Sequence, residues 1–217
     1  VLDPVVDGSF SPALPGLLLL HGKFDQSLKV LIGHNGDEGL FFTSPFVPDE
    51  ETFKQNVVLV SFPDADTDNT TGYIMNTLYP PIFDGSHGYT DMIARADYIV
   101  SEALFSCNAN YLARAFNENA FSYLFSVPPA LHGADIYYTF YEGPNPNVLN
   151  DTLALIMQEY ITNFVINGDP SGPGVPDFPN YSASDGQIQN LNTSLISLTP
   201  DDVANERCYW WQKALYY

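Results

Sequence analysis

The stretch Lys29-Val-Leu-Ile-Gly-His-Asn-Gly-Asp-Glu-Gly-Leu-Phe-Phe42 constrains this chain more than any other. A short apolar run, Val30 to Ile32, stops at Gly33. A polar loop punctuated by Gly36 and Gly39 then presents Asp37 and Glu38 before the chain turns aromatic. That order reads as a buried strand delivering a carboxylate at its end. In α/β sheets such strand ends border the crevice where reacting groups are held, because the sheet fixes the backbone while the loop reaches outward. Glu38 is therefore the first candidate for a functional side chain.

A second strand end follows the same logic. Ala120-Phe-Ser-Tyr-Leu-Phe-Ser-Val127 alternates with period two, is rich in β-favouring residues and stops at Pro128-Pro129. Ala130-Leu-His-Gly-Ala-Asp135 comes next and presents His132. Between the two strands, apolar or small residues at Ile93, Ala96, Ile99, Val100, Leu104, Cys107, Tyr111, Leu112 and Ala115 predict one long helix over 90–116, or two joined by a kink. The spacing of Leu153, Ile156, Met157, Tyr160, Ile161, Phe164 and Val165 predicts a helix over 151–167, closed by Gly168. Shorter helices are expected at 17–20, 49–56 and 73–78.

Asp185-Gly186 opens an expected hairpin through 188–191 and 195–198. A last helix is expected with Thr199 as its cap, Pro200 at its first position, and Ala204, Cys208, Trp211 and Leu215 on its inner face. Neither a linker nor a repeat interrupts the chain, so residues 1–217 read as one domain of helices alternating with a few strands.

Composition narrows the classes. Twenty-six acidic against seven basic residues give a net charge of −19, which repels nucleic-acid phosphates and excludes nucleic acid as a partner. The apolar run at 14–20 is broken by Pro15 and Gly16 and is far too short to span a bilayer. Val1-Leu-Asp-Pro has no leader character and reads like the interior of a longer sequence. For Cys107 and Cys208, one long-range disulfide is favoured over two buried thiols. Sequons at Asn69, Asn150, Asn180 and Asn192, with few lysines, point to a secreted glycoprotein.

A carboxylate at one strand end followed by a histidine at another is the order of the last two members of an acyl-transfer triad. In those roles His132 would move the proton of a serine nucleophile and Glu38 would orient and charge-balance the imidazole. Spacing alone leaves the plainer reading open, a solvated glutamate and a structural histidine. No Gly-x-Ser-x-Gly occurs, and Gly85-Ser86-His87-Gly88 has the wrong spacing. A glycine-rich oxyanion loop is also missing from the sequence, so this chain cannot complete the reaction by itself.

Taken together, the motifs resemble the C-terminal part of the type-B carboxylesterases and fungal lipases, the cholinesterase-like branch of the α/β-hydrolases. Pro4-Val-Val-Asp-Gly8 looks like that family's approach to its acid loop. Asn35-Gly-Asp-Glu-Gly39 looks like its acid motif and Leu131-His-Gly-Ala-Asp135 like its histidine motif. Gly168-Asp-Pro170 with Phe178-Pro-Asn-Tyr181 resembles its late loop, phenylalanine standing where tryptophan is usual.

The resemblance implies an α/β fold that is the C-terminal part of an α/β-hydrolase, with few sheet strands and several helices, incomplete without its N-terminal half. It implies Glu38 and His132 as triad members and a Cys107–Cys208 disulfide. Phe41 and Phe42 would be substrate-pocket aromatics unless they are ordinary core residues, and Asp135 a supporting acid. His21, His34 and His87 match no motif and are expected at the surface or as satisfied core residues.

A small-molecule or lipid ester is the implied substrate, with no cofactor and no metal. The serine and oxyanion hole are expected on the missing N-terminal half, found as a second chain without which this one does not fold. A lipase or sterol esterase with a lid, and a catalytically inactive adhesion or binding domain, are the alternatives. Retention of both Glu38 and His132 argues against the inactive domain.

Overall fold

The computed structural model describes residues 6–216, with the backbone alone for residues 66–68. Pro4 and Val5 of the approach segment lie outside the described residues. Among the described residues, four strands form one sheet in the order β1 (Val30–Asn35), β2 (Ala120–Phe125), β3 (Gln187–Leu191), β4 (Ser197–Pro200). β1 and β2, and β2 and β3, pair in parallel, while β3 and β4 form the expected antiparallel hairpin. Parallel neighbours need a crossover, and each is helical, as the two helical patterns between the strands require.

Strand alternation assigns the faces. Leu31, Phe121, Tyr123, Phe125 and Leu191 pack with Leu153, Met157 and Tyr160 of the Asp151–Asn167 helix. Val30, Ile32, Leu124 and Ile188 pack on the other face with Ala113 and Phe116. The Asp151–Asn167 helix is capped by Asn150, whose side chain accepts from the Leu153 amide at 3.1 Å. It ends at Gly168 in the left-handed region (φ +69°), a conformation that costs glycine nothing. Lys29 donates to the Gly168 carbonyl at 2.9 Å and so ties the helix end to the start of β1.

The predicted 90–116 helix is one continuous element. Met92–Val100 and Cys107–Phe116 are α-helical, and Ser101–Ser106 joins them as a wider π-helical stretch rather than a kink. Such stretches accompany functional positions; this one turns Ser101 toward the acid loop and buries Glu102. Short helical turns at Glu50–Phe53 and Thr70–Tyr73 fall in or beside the expected segments. The fully buried Arg95 bonds Glu50 of the first turn and the carbonyls of Met75 and Tyr79 beyond the second.

The last helix departs from expectation. It spans Glu206–Gln212 and its cap is Asn205, which accepts from the Cys208 amide at 3.0 Å. Thr199 and Pro200 belong to β4, paired with Ile188 and Gln187, and the Asp201 amide extends the ladder to the Gly186 carbonyl. The strand therefore uses the residues that resembled a helix start. Cys208 and Trp211 are buried as expected, but Leu215 is 55% exposed. Cys107 and Cys208 form a disulfide between this helix and the long one. Closing a loop of 101 residues, it contributes about 4–5 kcal/mol in the chain-entropy account. Among the described residues no helix is long and apolar enough to cross a membrane.

Candidate active site

Beyond the strands, the β1–β2 pairing continues into the two loops. The Gly36 amide donates to the Phe125 carbonyl at 3.0 Å and the Asp37 amide to the Ala130 carbonyl at 2.9 Å. Asp37 and Leu131 form an isolated parallel bridge. The residue after each is Glu38 on one arm and His132 on the other, so sheet register itself brings them together. His132 Nδ1 lies 2.5 Å from Glu38 Oε2, a short charge-assisted hydrogen bond. With Nδ1–H given to the carboxylate, Nε2 is the nitrogen left for a reacting group. The Glu38 side chain is 5% exposed and that of His132 41%, so the acid is enclosed while the imidazole faces an open surface.

Glu38 is held from behind. The Asn35 amide donates to Oε1 at 2.6 Å. The Asn35 side chain donates to Asp135 at 3.2 Å and accepts from the Asp135 amide, and the Tyr123 hydroxyl donates to the other oxygen of Asp135 at 3.0 Å. Gly33 makes this possible: it sits opposite Tyr123 in the register, and a Cβ there would fall 2.0 Å from the tyrosine ring. Gly39 is required for a different close approach, since its Cβ would lie 2.4 Å from the Asp97 carbonyl. Its amide donates to Ser101 Oγ at 2.7 Å, which docks the acid loop on the π-helical stretch. Gly133 follows His132 at φ +76° and lets the chain turn away at once.

Phe42 meets the His132 ring edge-on at 5.1 Å, and Phe105, from the π-helical stretch, lies 4.6 Å from it. Phe41, 66% exposed, borders a cavity of about 370 Å3 with Val127, Leu131, His132, Tyr137 and Leu149. Sequence reasoning placed Phe41, Phe42 and Asp135 near the pair but missed Asn35, Tyr123, Ser101 and Phe105. Only Gly33 hinted at Tyr123, and then only once the register is known. His21 is exposed and His87 stacks on Tyr89. The expectation fails for His34, which is buried with Nε2 lacking a partner. It is neither a surface nor a satisfied core histidine, because β-alternation turns it into a polar cavity rather than toward solvent.

Asp97 adds a pH-dependent contact beside this loop. Burial, and then the neighbouring Asp37 carboxylate, push its carboxyl from 3.8 up to about 7. The folded chain therefore holds a proton there that the unfolded chain releases. This contribution to stability is present below pH 3.8 and is lost as the pH rises through about 7. Urea unfolding from pH 4 to 7 is expected to show that decline, flattened in Asp97→Asn. An unchanged slope in the variant would remove Asp97 from the account.

The Carboxylesterase family pattern matches residues 1–211. The chain is similar to carboxylesterase patB of Aspergillus clavatus, 36% identical over 98% of this chain and 38% of that protein. Carboxylesterase patB of Penicillium expansum is 34% identical over 98% of this chain and 38% of that protein. Acetylcholinesterase of Bungarus fasciatus is 28% identical over 95% and 38%. The chain thus spans 38% of the length of these relatives. In fold it is similar to the crystal structure of EstA from Aspergillus niger, with a TM-score of 0.80 at 18% identity, over 97% of this chain and 44% of that one. That likeness shows the fold: the sheet and helices are part of an α/β-hydrolase architecture. Because the family pattern takes in the whole sheet and both of the arms that meet beyond it, the chain belongs to the carboxylesterase family.

Proposed function

We propose that this chain supplies the acid and the general base of a serine-dependent carboxylic-ester hydrolase. The observation that carries the reading is the 2.5 Å contact between His132 Nδ1 and the enclosed Glu38 carboxylate. In the reaction, Nε2 takes the proton of a serine hydroxyl as its oxygen attacks the ester carbonyl, then returns a proton to the departing alcohol. Glu38 holds the tautomer and stabilises the imidazolium. Asn35, Asp135 and Tyr123 act through Glu38 as positioning residues. The cavity beside His132, walled by Phe41, Leu131 and Tyr137, takes an apolar portion of a small-molecule ester.

The serine and its oxyanion donors lie outside these 217 residues, on the remainder of a family domain carried by the same polypeptide or a second chain. Residues 1–217 are then the C-terminal portion of one catalytic domain. In support, β1 ends the sheet order and leaves its outer edge for further strands. Phe41, Phe42 and Phe46 are 66%, 54% and 78% exposed, a surface suited to cover. The test is to treat the active protein with a serine-directed fluorophosphonate and map the adduct by mass spectrometry. Label is expected outside these residues; a labelled serine within them would overturn the assignment.

The disulfide favours an oxidising, secretory location, and the sequons refine the glycoprotein reading. Asn69 and Asn180 are exposed. The Asn150, Asn180 and Asn192 side chains donate to the carbonyls of Thr193, Glu118 and Ser126. Glycopeptide mapping of the secreted protein is expected to find Asn69 occupied. A glycan on Asn150, which caps the Asp151–Asn167 helix, would contradict the structural role of that side chain.

A further inference from the structure

We propose that His34, Asp201 and Asp202 form a binding site for a borderline divalent cation of the zinc class, joining the end of β1 to the loop that follows β4. Strand alternation separates the last two residues of β1. Asn35 turns toward the Glu38 support, and His34 turns to the opposite face of the sheet, where it is 6% exposed. His34 Nδ1 lies 3.0 Å from the Asn35 carbonyl oxygen, a contact that requires Nδ1–H to donate. The neutral ring therefore has its free lone pair on Nε2, which is buried without a hydrogen-bond partner. A buried acceptor left unmatched is costly, and few natural structures keep one without a reason.

His34 lines a cavity of about 320 Å3 whose walls also include Asp37, Asp97 and Asp202. One carboxylate oxygen each from Asp201 and Asp202, and one ring nitrogen of His34, all lie within 4.8 Å of one another. Two of the three ligands are held in place. Nδ1–H is fixed by the backbone carbonyl, the usual outer support of a metal-bound imidazole. Asp201, 7% exposed, accepts from Asn110 Nδ2 at 2.7 Å and from the Val203 amide at 3.2 Å. Asp202 is exposed and free to swing in.

The donor set selects the ion. An imidazole nitrogen disfavours Ca2+ and Mg2+, which take oxygen, whereas one nitrogen and two carboxylates suit Zn2+, Co2+ or Mn2+. Bonds of about 2.0–2.2 Å are expected to each donor, and the exposed Asp202 is the ligand with room to adjust to them. A fourth position faces the cavity and takes water. Sequence reading found no metal set because His34 stands far from the two aspartates along the chain and only the sheet brings them together.

The active protein, stripped of metal with a chelator, is the material for the test. Zn2+ is titrated calorimetrically and by thermal unfolding, and Co2+ by visible absorption. One saturable site is expected, raising the unfolding midpoint by several degrees, with a Co2+ spectrum showing imidazole ligation. His34→Gln and Asp202→Asn are each expected to weaken binding by roughly tenfold or more and to lose the midpoint shift. Asp202 is exposed, so its replacement tests the site without disturbing the core. Absence of saturable Zn2+ binding to the wild type would overturn the proposal. So would Zn2+ binding unchanged in both variants, or equal binding of Ca2+, either of which would mean diffuse attraction to an acidic surface.

Discussion

His132→Ala is expected to lower kcat for a chromogenic ester by roughly 10^4-fold, with a much smaller change in KM. In the proposed reaction the imidazole is the group that accepts the serine proton, and its side chain is 41% exposed. Its removal therefore takes away proton transfer without opening a core cavity. Unfolding in urea should be nearly unchanged, which separates a chemical loss from a structural one. Glu38→Gln tests the same geometry from the other side. The amide keeps the shape but withdraws the negative charge that the imidazolium needs, and a comparable loss of kcat is expected. A loss below tenfold in His132→Ala would show that His132 is not the base.

Glu102→Ala is expected to destabilise the protein by about 3–5 kcal/mol, the range for breaking a buried ion pair from one side. Glu102 is 3% exposed. Its carboxylate accepts from Arg207 Nε and Nη2 at 2.7 Å each, from the Tyr79 hydroxyl at 2.6 Å and from Asn205 Nδ2 at 2.9 Å. Alanine would strand a partly buried guanidinium and two further donor groups at once. Typical domains have only about 5–15 kcal/mol in total, so the urea midpoint should fall steeply. Glu102→Leu with Arg207→Met should recover part of the loss, but not all, because Tyr79 and Asn205 remain unmatched. A change under about 1 kcal/mol, the level of an exposed pair, would refute the assignment of this cluster as a structural centre.

Legibility in the sequence followed the range of the interactions. The Asp151–Asn167 helix was readable to its last residue because its apolar face, cap and closing glycine are all local. Glu38 and His132 were readable as strand-end groups for the same reason. Their supports were not: Tyr123 reaches Asp135 only because Gly33 lies opposite it, and Phe105 belongs to a helical repeat that gives no sign of facing a histidine. Thr199-Pro200 has the letters of a helix start, yet pairing with β3 overrode that local preference. The unsatisfied nitrogen of His34 was hidden for a related reason, since satisfaction is a property of neighbours rather than of residue type.

The two arms that meet at the Glu38–His132 contact are unequal in length. From the Asn35–Phe125 pair, the acid arm reaches the Asp37–Leu131 bridge in two residues, whereas the histidine arm takes six. One added residue on the short arm would invert the side-chain direction of everything after it and turn Glu38 away. The long arm has slack to absorb a change in length and still return Leu131 to its bridge. The acid is thus clocked by the sheet, and the histidine is moored to the acid. Design work on such a site has one arm whose length is fixed and one that can be redrawn.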